Sequence, residues 1–396
     1  MKAIVSRFAL LFANKTDNVN ITLKLSELRG INMFNKKLKQ IGLKTAALMV
    51  AAVLSLGTLS ACGKKTKPSE SEASSSETTL SSETTKAPTQ SETPAPMTTK
   101  NEEAVTLNSA EGDEGTFIGV MIDNHPDARQ QAGLNEADYV FEFWVEGTYT
   151  RYLAMFYSQK PESIGPVRSA RPYFIERMQE FDPLYVHVGG SSHATQILRD
   201  GAYRDVDGMY TSSDVMWRNN STGKSAPHPV YASWETLMDY AKATGKGDPS
   251  KFTPYYYHPN VEVPDGTEAS YVDVQATPGL VNRFEFDKES DAMLLYRNDK
   301  LALDEYPNEA IEIQNLIIQF AAYGQDQVNP NVRAVQQVGS GEGFYYSQGR
   351  YVPITWSKES PTAPTLYFVD GEPLLLNPGL TWISVVDLDA DIDFVS

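Results

Sequence analysis

Phe117-Ile118-Gly119-Val120-Met121-Ile122 runs straight into the polar pair Asp123-Asn124. A short, unbroken apolar run with no polar alternation predicts a buried strand that ends in a polar loop. Working outward, Tyr139-Val140-Phe141-Glu142-Phe143 and Arg151-Tyr152-Leu153-Ala154-Met155-Phe156-Tyr157 predict two more strands, rich in aromatic residues. Residues 171–181 have helical spacing, with Phe174, Ile175 and Met178 on one face. Leu184-Tyr185-Val186-His187-Val188 returns to strand and stops at Gly189-Gly190, and residues 192–198 and 233–243 read as helices. Strands alternating with helices predict a mixed α/β sheet for residues 107–250.

The texture changes after that. Segments 271–275, 283–286, 293–296, 316–320, 332–338, 343–346 and 351–356 are short and separated by Gly, Asn, Asp or Pro. This spacing predicts a β-rich domain over 251–396, a small sandwich or an open barrel. The expected class is therefore α+β, a mixed α/β sheet domain followed by a β-rich domain.

The first hundred residues are of another kind. Lys36, Lys37, Lys39 and Lys44 precede an uncharged apolar stretch over 45–59, and Leu59-Ser60-Ala61-Cys62 follows. Basic start, short apolar stretch, small residues and then a cysteine is the layout of a bacterial lipoprotein signal. About 15 apolar residues fall short of the roughly 20 that span a bilayer as a helix. The expectation is a signal peptide over 33–61 starting at Met33, an upstream extension over 1–32, and a diacylglyceryl Cys62. That lipid would be the membrane partner, holding the protein on the extracytoplasmic face. Cys62 is the only cysteine, so no disulfide or thiol nucleophile is left for the domains. Residues 62–106, rich in Ser, Thr, Glu and Pro, cannot bury enough surface to offset their conformational entropy, and read as a disordered tether.

Charge narrows the partners. The formal net charge is −17, and residues 101–396 alone hold 20 basic and 44 acidic side chains. Nucleic acid, whose binding needs phosphate neutralisation by a basic surface, is excluded as a partner.

Against that acidic background, Gly165-Pro166-Val167-Arg168-Ser169-Ala170-Arg171-Pro172-Tyr173 sets two arginines three residues apart at a loop-to-helix junction. With a helix starting near Ala170, Arg168 and Arg171 would face a phosphate or carboxylate beside the free N–H groups of the first turn. Arg151, after Glu146-Gly147, is expected nearby. Asp123 and His125 follow a strand end, where α/β sheets place ligand sites. Ala226-Pro227-His228-Pro229 reads as a loop presenting His228 to a ligand. No spacing typical of a tightly held metal occurs, so no cofactor is expected, the one alternative being Mg²⁺ at Asp123. His187 reads as a core histidine, and Tyr255-Tyr256-Tyr257 and Phe344-Tyr345-Tyr346 as sheet packing. Ser191 and Ser192 lack the Gly-x-Ser-x-Gly pattern of a nucleophile elbow.

Several stretches resemble the YerB-like lipoproteins of Gram-positive bacteria: Val120-Met121-Ile122-Asp123-Asn124, Ala128-Arg129-Gln130, Gly133-Leu134, Ala137-Asp138, Glu146-Gly147, Thr150-Arg151, residues 164–173, Val186-His187-Val188-Gly189-Gly190-Ser191, Ala226-Pro227-His228, Asp370-Gly371 and Leu376-Asn377-Pro378-Gly379 with Thr381-Trp382. The resemblance covers most of 117–386. It implies an α/β domain followed by a β-rich one and carries no catalytic assignment. A looser likeness joins the order of strand-Asp, Arg, Ala-Asp, strand and Pro-x-Arg to LytR-CpsA-Psr enzymes, which transfer lipid-pyrophosphate-linked glycans. Ser169 stands here where those enzymes carry an Asp.

The functional expectation is a non-catalytic binder of an anionic envelope ligand (wall glycan, peptide carboxylate or phosphorylated lipid intermediate) through Arg151, Arg168, Arg171, Asp123, Glu146 and His228. Its rivals are an envelope hydrolase or phosphotransferase using Asp123 or His228, and a partner-binding scaffold.

Overall fold

Ile118–Asp123 forms strand β1, and every one of its six residues is buried. Its side chains alternate between two separate cores, Ile118, Val120 and Ile122 on one face and Met121 on the other. That two-sided burial is why the run has no polar alternation. The computed structural model describes residues 115–250 and 255–396. The expected extension, signal peptide, Cys62 and tether lie outside the described residues.

β1 sits inside a 12-stranded mixed sheet. Its neighbours in chain order are β2 (Tyr139–Trp144), β3 (Thr150–Phe156), β4 (Leu184–His187) and β5 (Asp205–Asp207). From the second half come β6 (Tyr271–Thr277), β7 (Leu280–Asp287), β8 (Ala292–Arg297), β9 (Asn315–Phe320), β10 (Gly339–Ser347), β11 (Arg350–Lys358), β12 (Leu366–Val369), β13 (Thr381–Val386) and β14 (Ile392–Val395). The large sheet runs β12-β11-β10-β9-β13-β2-β3-β1-β4-β5, continued past β12 by the short strand Glu372–Pro373. β6, β7, β8 and β14 build a second, antiparallel sheet.

The boundary near residue 250 therefore separates two stretches of chain but not two sheets. β2 pairs in parallel with β13, and β13 pairs in parallel with β9, so strands from both halves are hydrogen-bonded neighbours at the sheet centre. All described residues fall in one compact unit. The second half is therefore not the separate small sandwich or open barrel expected, because its strands are divided between the large sheet and a smaller one. Val272, Val274, Phe284 and Leu295 of the smaller sheet share a core with Val140, Tyr152, Leu316 and Trp382 of the larger one, so the two sheets stack.

Helix α1 (Pro172–Met178) and helix α2 (Ser192–Asp200) cover the other face through Tyr173, Phe174, Ile175, Met178 and Ala194. Helix α3 (Trp234–Thr244) opens on a reciprocal Ser233–Thr236 capping box and closes at Gly245, whose φ of 71° suits glycine. Among the described residues no helix is long and apolar enough to cross a membrane.

Candidate functional site

The chain opens a crevice at the carboxyl ends of two parallel strands. β1 and β4 pair only over Ile118–Val120 and Leu184–Val186. Beyond that, residues 166–170 wedge between them. Asp123 N–H donates to Pro166 O at 2.9 Å and Arg168 N–H to Met121 O at 2.8 Å, while Val188 N–H donates to Arg168 O at 3.0 Å and Ala170 N–H to Gly189 O at 2.9 Å. Open α/β sheets place ligands outside such strand ends. The register β1–β3 sets Arg151 opposite Asp123. Val167 N–H donates to Val230 O at 2.7 Å, which brings the loop bearing His228 to the same place.

Asp123 is the hub. It is 3% exposed. Its Oδ1 accepts from His125 N–H at 3.0 Å, and its Oδ2 lies 2.8 Å from His228 Nδ1 and 3.0 Å from Arg168 Nε. A carboxylate only accepts, so the His228 proton sits on Nδ1 and the free nitrogen is Nε2. Glu146, in the turn between β2 and β3, pairs with Arg171 Nε and lies 3.9 Å from Arg151 Nη2. Arg151 Nη1 donates to Ser169 O at 2.9 Å and Arg171 Nη1 to Ala170 O at 2.8 Å. Three guanidinium groups thus share two carboxylates. Arg151 Nε is buried without an acceptor.

The electrostatics follow from this crowding. Burial alone would raise the Asp123 carboxyl, but the charges of Arg151 and Arg168, with the hydrogen bonds from His125 N–H and His228, hold it below its ordinary value. Glu146 is likewise raised by burial and more than offset by Arg171 and Arg151. Arg151, desolvated and beside Arg171, is pushed down to about 10.

The six ligand-binding residues expected from sequence, Asp123, Glu146, Arg151, Arg168, Arg171 and His228, are therefore brought into one linked cluster. The expected helix amides are not there. α1 starts at Pro172, which has no N–H, and the Phe174 and Ile175 N–H groups are taken by Arg171 O. Both Asp123 oxygens are engaged, so a directly bound Mg²⁺ would compete with His125 N–H at Oδ1 or with His228 and Arg168 at Oδ2.

Other residues singled out from sequence lie elsewhere. His187 is buried and bonded to Gly189 O at 2.9 Å. Ser191 caps α2. Tyr257 is tied by its hydroxyl to Tyr139 at 2.5 Å, and Tyr345 to Asn315 at 2.7 Å.

Sequence reasoning missed two features. Arg129 Nε donates to Asn124 Oδ1 at 2.9 Å, and Asn124 Nδ2 donates to Thr150 Oγ1 at 2.7 Å, which donates to buried Glu142 at 2.6 Å. This ladder roots the site in the core. In addition, His125, Asp127 and His228 offer ligand atoms within 4.8 Å of one another. The run Asp123-Asn124-His125-Pro126-Asp127 was the available signal.

The buried carboxyls give a pH expectation. Burial first, then like charges where present, raises Glu136, Asp138, Glu176 and Asp304, whereas Asp123 and Glu146 are lowered. A raised carboxyl contributes stability that is complete below its unfolded pKa and lost as pH rises through its folded pKa; a lowered one contributes stability present above the unfolded pKa and lost as pH falls through the folded one. Melting temperature should therefore rise from pH 7 to about 5 and fall below about pH 4, the ordinary carboxylate range. A melting temperature that declines steadily from pH 7 to 5 would contradict this.

Comparison with known proteins gives the family. The model described as "Protein of unknown function (DUF3048) N-terminal domain" matches residues 106–247, and the corresponding C-terminal domain model matches 272–383. A curated relative from Bacillus subtilis (strain 168), named "Putative lipoprotein YerB", is 30% identical over 303 residues, 75% of this chain and 87% of the relative. The crystal structure of the YerB protein from Bacillus subtilis aligns with a TM-score of 0.64 at 29% identity, covering 72% of this chain and 96% of that one. With both family models matched in order and the relative covered nearly end to end, the chain belongs to the YerB-like, DUF3048 family.

Proposed function

We propose that this chain is a lipid-anchored protein of the extracytoplasmic membrane face that binds an anionic envelope ligand through Arg151, Arg168 and Arg171. The ligand class is a wall glycan, a peptide carboxylate or a phosphorylated lipid intermediate. Anchoring through diacylglyceryl Cys62 is supported by the signal layout and by the name of the Bacillus subtilis relative. One observation carries the binding reading: three guanidinium groups converge on two carboxylates at the carboxyl ends of β1 and β4. The surplus cation, with the Arg168 terminal nitrogens and Arg171 Nη2 making no hydrogen bond among the described residues, suits a phosphate or carboxylate.

The test is calorimetric titration of the full chain in detergent micelles with pyrophosphate and with muropeptides. A charge-assisted hydrogen bond contributes about 1.5–3 kcal/mol, so Arg168→Glu should weaken binding by about tenfold or more. His228→Ala should leave binding within a few-fold. Equal affinity for the parent and the Arg168→Glu, Arg171→Glu double variant would refute the reading.

A second reading is favoured by the 2.8 Å Asp123–His228 pair. In it the protein is an envelope hydrolase or phosphotransferase, with Asp123 orienting His228 as general base. Turnover of a lipid-pyrophosphate substrate that disappears in His228→Ala would favour it over the binder.

A further inference from the structure

We infer that His125, Asp127 and His228 form a binding site for one divalent cation of the Zn²⁺ class. The site is separate from the anion reading, because it uses none of the three arginines. Two imidazoles and a carboxylate bring their ligand atoms within 4.8 Å of one another. The rings of His125 and His228 lie face to face, 5.1 Å between centroids and 17° from parallel. A nitrogen-rich set with one oxygen suits Zn²⁺, whereas Mg²⁺ and Ca²⁺ prefer oxygen alone.

His228 is already oriented for this role. Its Nδ1 is fixed to Asp123 Oδ2 at 2.8 Å, leaving Nε2 as the coordinating atom on the far side of the ring. A carboxylate behind a coordinating histidine sets the tautomer and raises the basicity of the ligand. The same arrangement reconciles a cation with Arg168. That arginine pairs with Asp123 Oδ2, the oxygen that meets His228 Nδ1, and not with the His228 nitrogen offered to the ion. Asp123 and Asp127 together supply two negative charges around the ion.

The remaining two ligands can close on it. Tetrahedral ligands at about 2.1 Å from zinc stand roughly 3.4 Å apart, so some atoms must move by about 1 Å. The side chains of His125 and Asp127 are 31% and 71% exposed and make that adjustment, with His125 Nδ1 giving up the bond it accepts from Asp127 N–H at 3.2 Å, while His228 stays fixed at 9%. Three protein ligands leave the fourth position open, the pattern of sites that hold water or substrate rather than of closed structural sites.

The experiment uses the full chain in detergent micelles, carrying Cys62→Ser to remove the one thiol, stripped with a chelator and dialysed. Zn²⁺ is titrated by calorimetry and Co²⁺ by visible absorption. One ion per chain is expected, with the intense d–d bands of tetrahedral Co²⁺. His125→Ala and Asp127→Ala should each weaken Zn²⁺ by at least about tenfold, and Asp127→Ala, at an exposed position, should do so without changing the metal-free melting temperature. Asp123→Asn should weaken it by about 10–100-fold, through the orientation of His228 and the loss of one negative charge beside the ion. Absence of one-to-one uptake by the parent, or uptake undiminished in the His125→Ala, Asp127→Ala double variant, overturns the site. Pyrophosphate binding measured in the presence of chelator reports the arginines alone, so either reading fails without the other.

Discussion

Glu180→Ala should lower the folding free energy by about 3–5 kcal/mol, the cost of leaving buried ion-pair partners uncompensated. Glu180, Arg177 and Lys358 are all at most 1% exposed. Glu180 Oε1 receives Lys358 Nζ at 2.7 Å, Thr365 Oγ1 at 2.9 Å and Arg177 at 3.2 Å, and its Oε2 receives Thr365 N–H at 2.9 Å. Two cations therefore depend on one carboxylate. Burial pushes the Lys358 amine down despite that partner. The remaining Arg177 donors reach Gln337 at 3.0 Å, Thr365 at 2.6 Å and Gln319 at 3.1 Å. These residues come from α1, β9 and β11 and the loops between strands, so the network clamps α1 to the second half of the chain. Denaturant unfolding should show a lower midpoint with an unchanged slope. Replacing all three charges together, as Arg177→Met, Glu180→Leu and Lys358→Met, should recover much of the loss, because matched apolar groups leave nothing unpaired. A loss below about 1 kcal/mol for Glu180→Ala would mean that water already reaches the network.

That network also marks where sequence reading stops. Residues 171–181 carry Phe174, Ile175 and Met178 at helical spacing, which was legible as an amphipathic helix. Arg177 and Glu180 look like its solvent face, yet both are fully buried because the opposite side of α1 is covered as well. Strands β1, β2, β3 and β4 were legible for a simple reason: each is a local run of apolar residues bounded by polar or glycine positions. β13 was not identified, although Thr381–Val386 is buried throughout. Its place between β2 and β9 rests on pairing across most of the chain, as in the 3.0 Å bond from Trp382 Nε1 to Glu142. Such pairing leaves no local signature, which is why the sequence divides near 250 while the sheet does not. The arginine cluster was legible because Asp123 and Arg151 sit at facing ends of adjacent strands and Arg168 in the loop beside them. Which carboxylate would meet which arginine was not, since that depends on the wedge of residues 166–170.

Asp123→Ala should cost about 3 kcal/mol or more, the second large effect, and its signature is the pH dependence of that loss. The carboxylate is buried against Arg168 and His228, opposite the buried Arg151. Removing it leaves largely buried positive charge without its counterion. Asp123→Asn should recover little, because Oδ1 and Oδ2 both face donors, His125 N–H on one side and His228 Nδ1 on the other, and the Arg168 charge beside Oδ2 is left unpaired. An amide offers one acceptor and must turn its NH₂ toward a donor whichever way it flips. The folded pKa of Asp123 is lowered from 3.8, so its contribution is complete above that value and lost as pH falls through the lower folded value. The gap in stability between parent and Asp123→Ala should thus stay constant from pH 7 to about 5 and narrow only in stronger acid. A variant whose deficit is the same at pH 3 as at pH 7 would show that Asp123 acts by shape rather than charge, and would remove the electrostatic basis for holding Arg168 and His228 together.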